Sequence, residues 1–191
     1  MKPFLKVIQL HKNQDLLIKK ACQNNREAQQ ALFDTHAPKM LSVCRYYIKD
    51  MQHAEEAMLN GFLKVFTQLK SFENKGAFEG WIRRIMVRES ISFLRQKKQI
   101  IFVEVEDDTT EASPLCSEGH LAVDDIQNLI DNLPEGYRMV FVMYAIEGYK
   151  HHEIATLLKI SEGTSKSQLY KAKQLLQQQL HALNSNGYGT K

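Results

Sequence analysis

The sequence predicts an all-α protein of two small helical domains joined by an acidic flexible linker, with a helix-turn-helix in the second domain. Three observations lead there. Apolar residues recur at intervals of three and four through most of residues 15–98 and 124–183. The stretch between them is acidic, and from Glu106 to Leu121 it is poor in large apolar side chains, as a flexible linker is. Gln99–Val105 has the β-branched and aromatic content of a strand, but it stands alone with no partner for its backbone groups, so it reads as an extended segment docked on a surface. The expected organisation is a helical domain over 1–98, a linker over 99–123, a second helical domain over 124–183 and a flexible tail over 184–191.

In chain order, Asp15–Asn24 and Asn25–His36 read as two short helices broken at Asn24-Asn25. A third begins near Ala37-Pro38, because proline is tolerated in a first helical turn. It carries Met40, Val43, Cys44 and Tyr47 at helical spacing. From His53 to Leu69 the stripe Met58, Phe62, Val65, Leu69 suits helix-on-helix packing. Ser71–Gly76 is a polar turn, and Ala77–Lys98 is a long helix anchored by Phe78, Trp81, Ile82 and Ile85. In the second domain, Asp124-Asp125 starts a helix with Ile126, Leu129, Ile130 and Leu133, which ends at Pro134-Glu135-Gly136. Tyr137–Ile146 follows, then a break at Glu147-Gly148-Tyr149, a short helix His151–Leu158, a turn Lys159–Ser161 and a terminal helix Glu162–Leu183.

Composition removes several function classes. Of the 191 residues, 43% are hydrophobic and 25% charged, as in ordinary globular chains. The longest apolar run, Met139–Ile146, falls far short of the roughly 20 residues of a membrane helix. The N-terminus has neither the apolar stretch nor the cleavage site of a signal peptide. Cys22, Cys44 and Cys116 are widely spaced, with no CxxC and no histidine at ligand spacing, so reduced thiols in a cytoplasmic protein are expected rather than a metal site. His151-His152 are adjacent and point about 100° apart on a helix, which makes no metal face. No HExxH, GxSxG, Walker A or GxGxxG sequence occurs, so neither enzyme chemistry nor a cofactor is expected.

Charge is more telling. The formal net charge is only +3. Residues 1–100 carry +9, residues 101–135 carry −10 without a single Lys or Arg, and residues 136–191 carry +4. Two basic blocks flanking an acidic connector fit nucleic-acid binding, and fit equally a solvated linker between two ordinary domains.

The pattern EIATLLKIS-EGTSKSQLYKAKQLL is that of a helix-turn-helix. Ile154, Leu158 and Ile160 close the two helices, Ala155 is small where they cross, and Ser161 can cap the second helix. Leu169, Ala172, Leu176 and Leu180 form its buried stripe. Lys166, Tyr170, Lys173 and Gln177 occupy another face, with Ser167 and Lys171 beside it. Short polar residues near the helix start can reach base edges while lysines hold phosphates. On the Ala77–Lys98 helix, Arg84, Arg88, Arg95 and Lys98 fall within roughly 80° of each other, a cationic edge interrupted by Ile91 that could hold a phosphate backbone. The spacing of Trp81 favours the core. Phe72, Asn74 and Lys75 form a turn that reads equally as a polar loop or as a place to hold an unstacked base.

Taken together and in this order, these segments resemble bacterial RNA polymerase sigma factors of the extracytoplasmic-function type over about residues 12–98 and 124–182. FEGWIRRIMVRESISFLRQKK resembles the family's promoter-melting helix, through Phe78, Trp81, Ile82, Arg84, Ile85, Ile91, Leu94 and Arg95. HAEEAMLNGFLKVF resembles the helix that docks on the polymerase clamp. LPEGYRMVFVMYAIEGYKHHEIATLLKISEGTSKSQLYKAKQLL resembles the domain that reads the −35 element. The chain departs from the family pattern at several positions. Leu59 and Asn60 stand where glutamine and an acidic residue are common, and Arg88 and Ser92 replace an asparagine and an aspartate. Lys159 replaces a glycine, Ser165 a valine and Gln168 an arginine. Ser165 lies near the buried face, where it weakens packing by about 1–2 kcal/mol unless its hydroxyl finds a partner.

The resemblance implies a non-enzymatic, cytoplasmic protein whose partners are core RNA polymerase, promoter DNA and an unidentified anti-sigma protein, with no membrane insertion of its own. It implies −35 contacts by Ser161, Gly163, Thr164, Ser165, Lys166, Ser167, Gln168, Tyr170, Lys171 and Lys173. The −10 region falls to Phe72, Asn74, Lys75, Arg84, Arg88, Arg95 and Lys98, with a flipped base held in the Phe72–Gly76 loop. Polymerase binding falls to Glu55, Glu56, Leu59 and Asn60. The linker acids Glu104, Glu106, Asp107, Asp108 and Glu111 either mimic nucleic acid in the polymerase's RNA channel or simply keep the connector soluble and off the DNA. The alternative is a helix-turn-helix regulator that acts by occupying DNA without joining polymerase.

Overall fold

A computed structural model of the chain describes residues 14–72, 77–97 and 123–187. Asn74, Lys75, Gly76, Lys98, the segment Gln99–Val105, the acidic stretch Glu106–Leu121 with Cys116, and residues 188–191 lie outside the described residues. The chain divides into two compact units, Met1–Phe93 and Leu94–Lys191. The fold is all-α, with no strand among the described residues.

In the first domain, α1 covers residues 14–22. The expected break follows: Asn24 takes a left-handed backbone (φ 61°), which asparagine tolerates better than most residues. Asn25 caps α2, its Oδ1 accepting the Ala28 N–H at 2.8 Å. α2 then runs unbroken from Arg26 to Tyr47, so the helix start expected at Ala37-Pro38 does not occur and Pro38 sits inside. The buried set Ala28, Leu32, His36, Ala37, Met40, Val43, Cys44 and Tyr47 forms one stripe across the proline. An interior proline costs about 3 kcal/mol, and one large buried apolar side chain returns about 1.5–3 kcal/mol. Pro38 and Asp34 are both exposed, so water can take the place of the missing N–H.

Asp50 caps α3 (Met51–Gln68), accepting the His53 N–H at 2.9 Å. α3 ends in a 3₁₀ turn, Leu69–Ser71. α4 (Phe78–Gln96) buries Ile82, Ile85, Met86, Val87, Ile91 and Leu94. Gly61 of α3 lets the Met86 side chain lie where a Cβ would stand, drawing α3 and α4 together.

The second domain comprises α5 (Val123–Asp131), α6 (Glu135–Phe141) with a π-helical turn (Val142–Ile146), α7 (His151–Leu158) and α8 (Glu162–Gly187). α8 continues four residues beyond the expected end at Leu183, into the stretch expected to be tail. Gly148, at φ +75°, makes the break before α7. Leu129, Leu133, Ala172 and Leu176 form a core cluster, with Tyr137, Phe141, Leu175 and Leu180 packed on it. Ile154 and Leu158 of α7 and Leu169 of α8 are buried, as the pattern requires of the helix-turn-helix.

Candidate nucleic-acid interface

The turn between α7 and α8 sets the geometry of the second domain's exposed face. Lys159 caps α7 in the left-handed conformation (φ 57°), the position where glycine is normally favoured, and its N–H returns to the Ala155 carbonyl. Ser161 then caps α8: its Oγ accepts the Thr164 N–H at 2.9 Å and lies 2.8 Å from the Thr164 hydroxyl. Gly163 and Lys166 are exposed, while Thr164, Ser167, Tyr170, Lys171 and Lys173 are half-buried. Gly163, Lys166, Ser167, Tyr170 and Lys173 follow intervals of three and four, so they share a face. The Tyr170 hydroxyl accepts from Gln174 Nε2 at 2.7 Å, and the Lys171 ammonium lies 5.8 Å from the Tyr170 ring centroid.

Two residues expected at this surface are not on it. Ser165 and Gln168 are both 0% exposed. They stand on the inward side of α8 with Leu169 and Ala172, so helical period, not polarity, decides their direction. The Ser165 hydroxyl has found the partner its burial demands, His151 Nδ1 at 2.9 Å. The His151 ring also stacks on Tyr144, with centroids 4.7 Å apart at 24°. Burial, then Lys166, hold its pKa below the ordinary imidazole value, Glu162 opposing and Lys173 adding. In the sequence His151 is weighed only as a metal ligand, and Tyr144 has no role of its own. The available signal was a polar residue at the Ser165 core position, which required a polar partner.

On α4, Arg84 and Arg88 are exposed, as is Arg95 in its last turn, just past the Phe93 boundary. Arg95, seven residues after Arg88, returns close to its face, so the expected cationic edge exists over the described residues. At the start of α4, Phe78 stacks on Trp81 at 5.9 Å and 20°, and Phe72 meets both, at 5.1 Å and 5.5 Å. Trp81, expected in the core, is half-buried, as is Phe72, because Phe78 takes the inner place (5% exposed). An aromatic cluster with two partly open rings is therefore formed by residues just before and just after positions 73–76 in the sequence. His36 supports it from α2, its ring edge-on to Phe78 at 5.6 Å. Burial keeps His36 below the usual histidine range, against the opposing Glu79 carboxylate.

On α3, Glu55, Glu56, Leu59 and Asn60 are all exposed. Leu63, one turn beyond Leu59, is 64% exposed and extends that face with a second leucine. Its spacing of four from Leu59 was the sequence signal for it. Cys44 is fully buried, which pushes its thiol up to about 11. Among the described residues no group of three His, Cys, Asp or Glu could hold a metal ion. Nor is any described helix long and apolar enough to cross a membrane.

Residues 32–100 match the family described as Sigma-70 region 2, and residues 124–176 match Sigma-70, region 4. The two cover most of α2, all of α3 and α4, and the helix-turn-helix, more than half of the chain together. The chain is 26% identical over 186 residues to the ECF RNA polymerase sigma factor SigW of Bacillus subtilis, covering 88% of this chain and 100% of that one. It is 28% identical over 134 residues to the RNA polymerase sigma factor SigV of the same species, covering 70% of this chain and 80% of that one. In fold it is similar to the sigma factor RpoE of Bartonella quintana, solved with the anti-sigma factor NepR, at a TM-score of 0.52 and 19% identity over 80% of this chain and 96% of that one. With regions 2 and 4 in order on the two domains just described, the chain belongs to the RNA polymerase sigma factors of the extracytoplasmic-function type.

Proposed function

We propose that this chain binds core RNA polymerase, directs it to promoters through their −35 and −10 elements, and promotes DNA melting. The observation that carries the reading is the pairing of two different cationic surfaces, one on each sigma-type domain. α8 offers short polar residues and lysines on one face, suited to the major groove of a −35 duplex. Gly163, Thr164, Lys166, Ser167, Tyr170, Lys171 and Lys173 make that face, with Ser161 at its edge. α4 offers Arg84, Arg88 and Arg95 to the backbone of the −10 region, beside the aromatic cluster. A base leaving the duplex there can stack on Phe72 or Trp81. Asn74, Lys75 and Lys98 belong to the same reading. Capture of the unpaired base offsets the few kcal/mol of unstacking, so melting needs no nucleotide hydrolysis by this chain. Polymerase performs the chemistry in the cytoplasm, and the chain is a binding subunit rather than an enzyme.

The α3 face of Glu55, Glu56, Leu59 and Asn60 is the surface for polymerase. An anti-sigma protein is a further partner, supported by the solved complex of the B. quintana relative. The reading is tested by transcription reconstituted from core polymerase and the full chain on a promoter library. Initiation at a defined subset of promoters is expected. A folded chain that supports none, yet binds duplex DNA unaided, points instead to a regulator acting by occupancy.

A further inference from the structure

We propose that His151 is a positioning residue for −35 binding: pinned between Tyr144 and Ser165, it holds the start of α8 in register and links DNA affinity to its own protonation. The inference rests on the sigma reading of α8.

Three elements meet at this ring. The π-helical turn brings Tyr144 onto one side of it, at 4.7 Å between centroids. α7 supplies the ring from its first residue. α8 supplies the Ser165 hydroxyl, 2.9 Å from Nδ1 and fully buried. Ser165 is flanked in sequence by Thr164 and Lys166, both on the proposed reading face. A bond that fixes Ser165 therefore fixes where Thr164 and Lys166 stand. An apolar pair could fill the same space, but it would not set the rotation of α8 by a directional contact.

The charged and titratable groups around the ring give the pair a second property. Glu162, Lys166 and Lys173 of α8 act on it electrostatically. Tyr144 faces it from the π turn, and Lys150, His152 and Glu153 neighbour it on its own element. In the free protein the lysines resist a positive ring. Promoter phosphates that engage Lys166 and Lys173 neutralise that resistance, so bound DNA favours proton uptake by His151. By linkage, protonation then favours DNA, and −35 affinity rises as pH falls. The bond to Ser165 survives the change, because a hydroxyl can donate to a neutral Nδ1 or accept from a protonated one.

The test uses holoenzyme assembled from the full chain and core polymerase, with fluorescence anisotropy on a fluorescent promoter duplex at pH values from about 8 down to about 6. Wild-type affinity should rise about three- to tenfold over that range, the yield of up to one linked proton. His151→Gln should flatten the rise, while His152→Gln should leave it intact. Ser165→Ala, which keeps the ring and adds no volume, should weaken binding about three- to tenfold at the upper pH. The double variant should bind no worse than the weaker single one, as for two halves of one contact. Circular dichroism melts identify any variant that fails to fold, and Ser165→Ala carries the test if His151→Gln does. A wild-type rise that His151→Gln leaves unchanged, a flat wild-type profile, or additive single effects would overturn the inference alone. Wild-type holoenzyme that binds no promoter at any pH would overturn the sigma reading and this inference with it.

Discussion

The two domains spend the same chemistry in opposite ways. α4 spreads Arg84, Arg88 and Arg95 along a helix and puts aromatic rings at its start. α8 gathers Lys166, Lys171 and Lys173 into about two turns, among Gly163, Thr164 and Ser167. Long guanidinium side chains in a row follow a backbone of either strandedness, and partly open rings take an unstacked base. Short polar residues near a helix start touch base edges only while the duplex is intact. The difference teaches that, on the proposed reading, the first domain suits DNA that is coming apart and the second DNA that stays paired.

The largest effect that separates the domains is on stability. Ile82→Ala empties a fully buried site in α4 and should cost the first domain about 3 kcal/mol. The single tryptophan, Trp81, lies in that domain, so its fluorescence should report early unfolding while amide protection along α8 stays as in wild type. Equal loss in both would break the picture of independent roles.

Two DNA-contact variants sharpen the contrast. Arg84→Ala should lower the salt slope of promoter binding by about one counterion with little change in sequence preference. Ser167→Ala should cost about 1 kcal/mol and relax preference within the −35 element, with an unchanged salt slope. Exchange of these two signatures would reverse the assignment.

Proton linkage in the first domain is smaller. His36 is held below its unfolded value of 6.5, so the unfolded chain takes up its proton first as pH falls. The stabilising contribution is complete above about pH 6.5 and declines as pH drops toward the lower folded value. Melting followed through Trp81 should shift to lower temperature between about pH 7 and pH 5, and His36→Gln should reduce that shift. Smallest is Lys159→Gly. It relieves a left-handed residue in the turn of the helix-turn-helix and should stabilise the second domain by about 1 kcal/mol or less, read by amide exchange in α8.

Much of this was legible in the sequence, and the failures share a cause. The break at Asn24-Asn25, the cap at Ser161 and the turn at Gly148 announce themselves because capping and reversal need particular residue types. Pro38 misled because a proline facing solvent can stay inside a helix whose other face is fully engaged. Ser165 and Gln168 misled as −35 contacts, because their period puts them beside Leu169 and Ala172; for Ser165 the place near the buried face was already legible in the sequence. The His151 contact joins residues fourteen positions apart, so the local pattern signals that Ser165 needs a polar partner but not which residue supplies it. Trp81 divides its surface between core and solvent because Phe78 fills the space beneath it.

The central claim is that the first domain captures an unpaired base while the second holds a paired element. It is tested most directly by placing 2-aminopurine in the −10 region of a promoter and following its fluorescence in holoenzyme made with wild-type chain and with Phe72→Ala. The account predicts a rise with wild type that Phe72→Ala largely removes, while footprinting over the −35 element is unchanged. A Phe72→Ala holoenzyme that unpairs the −10 region as fully as wild type would contradict it.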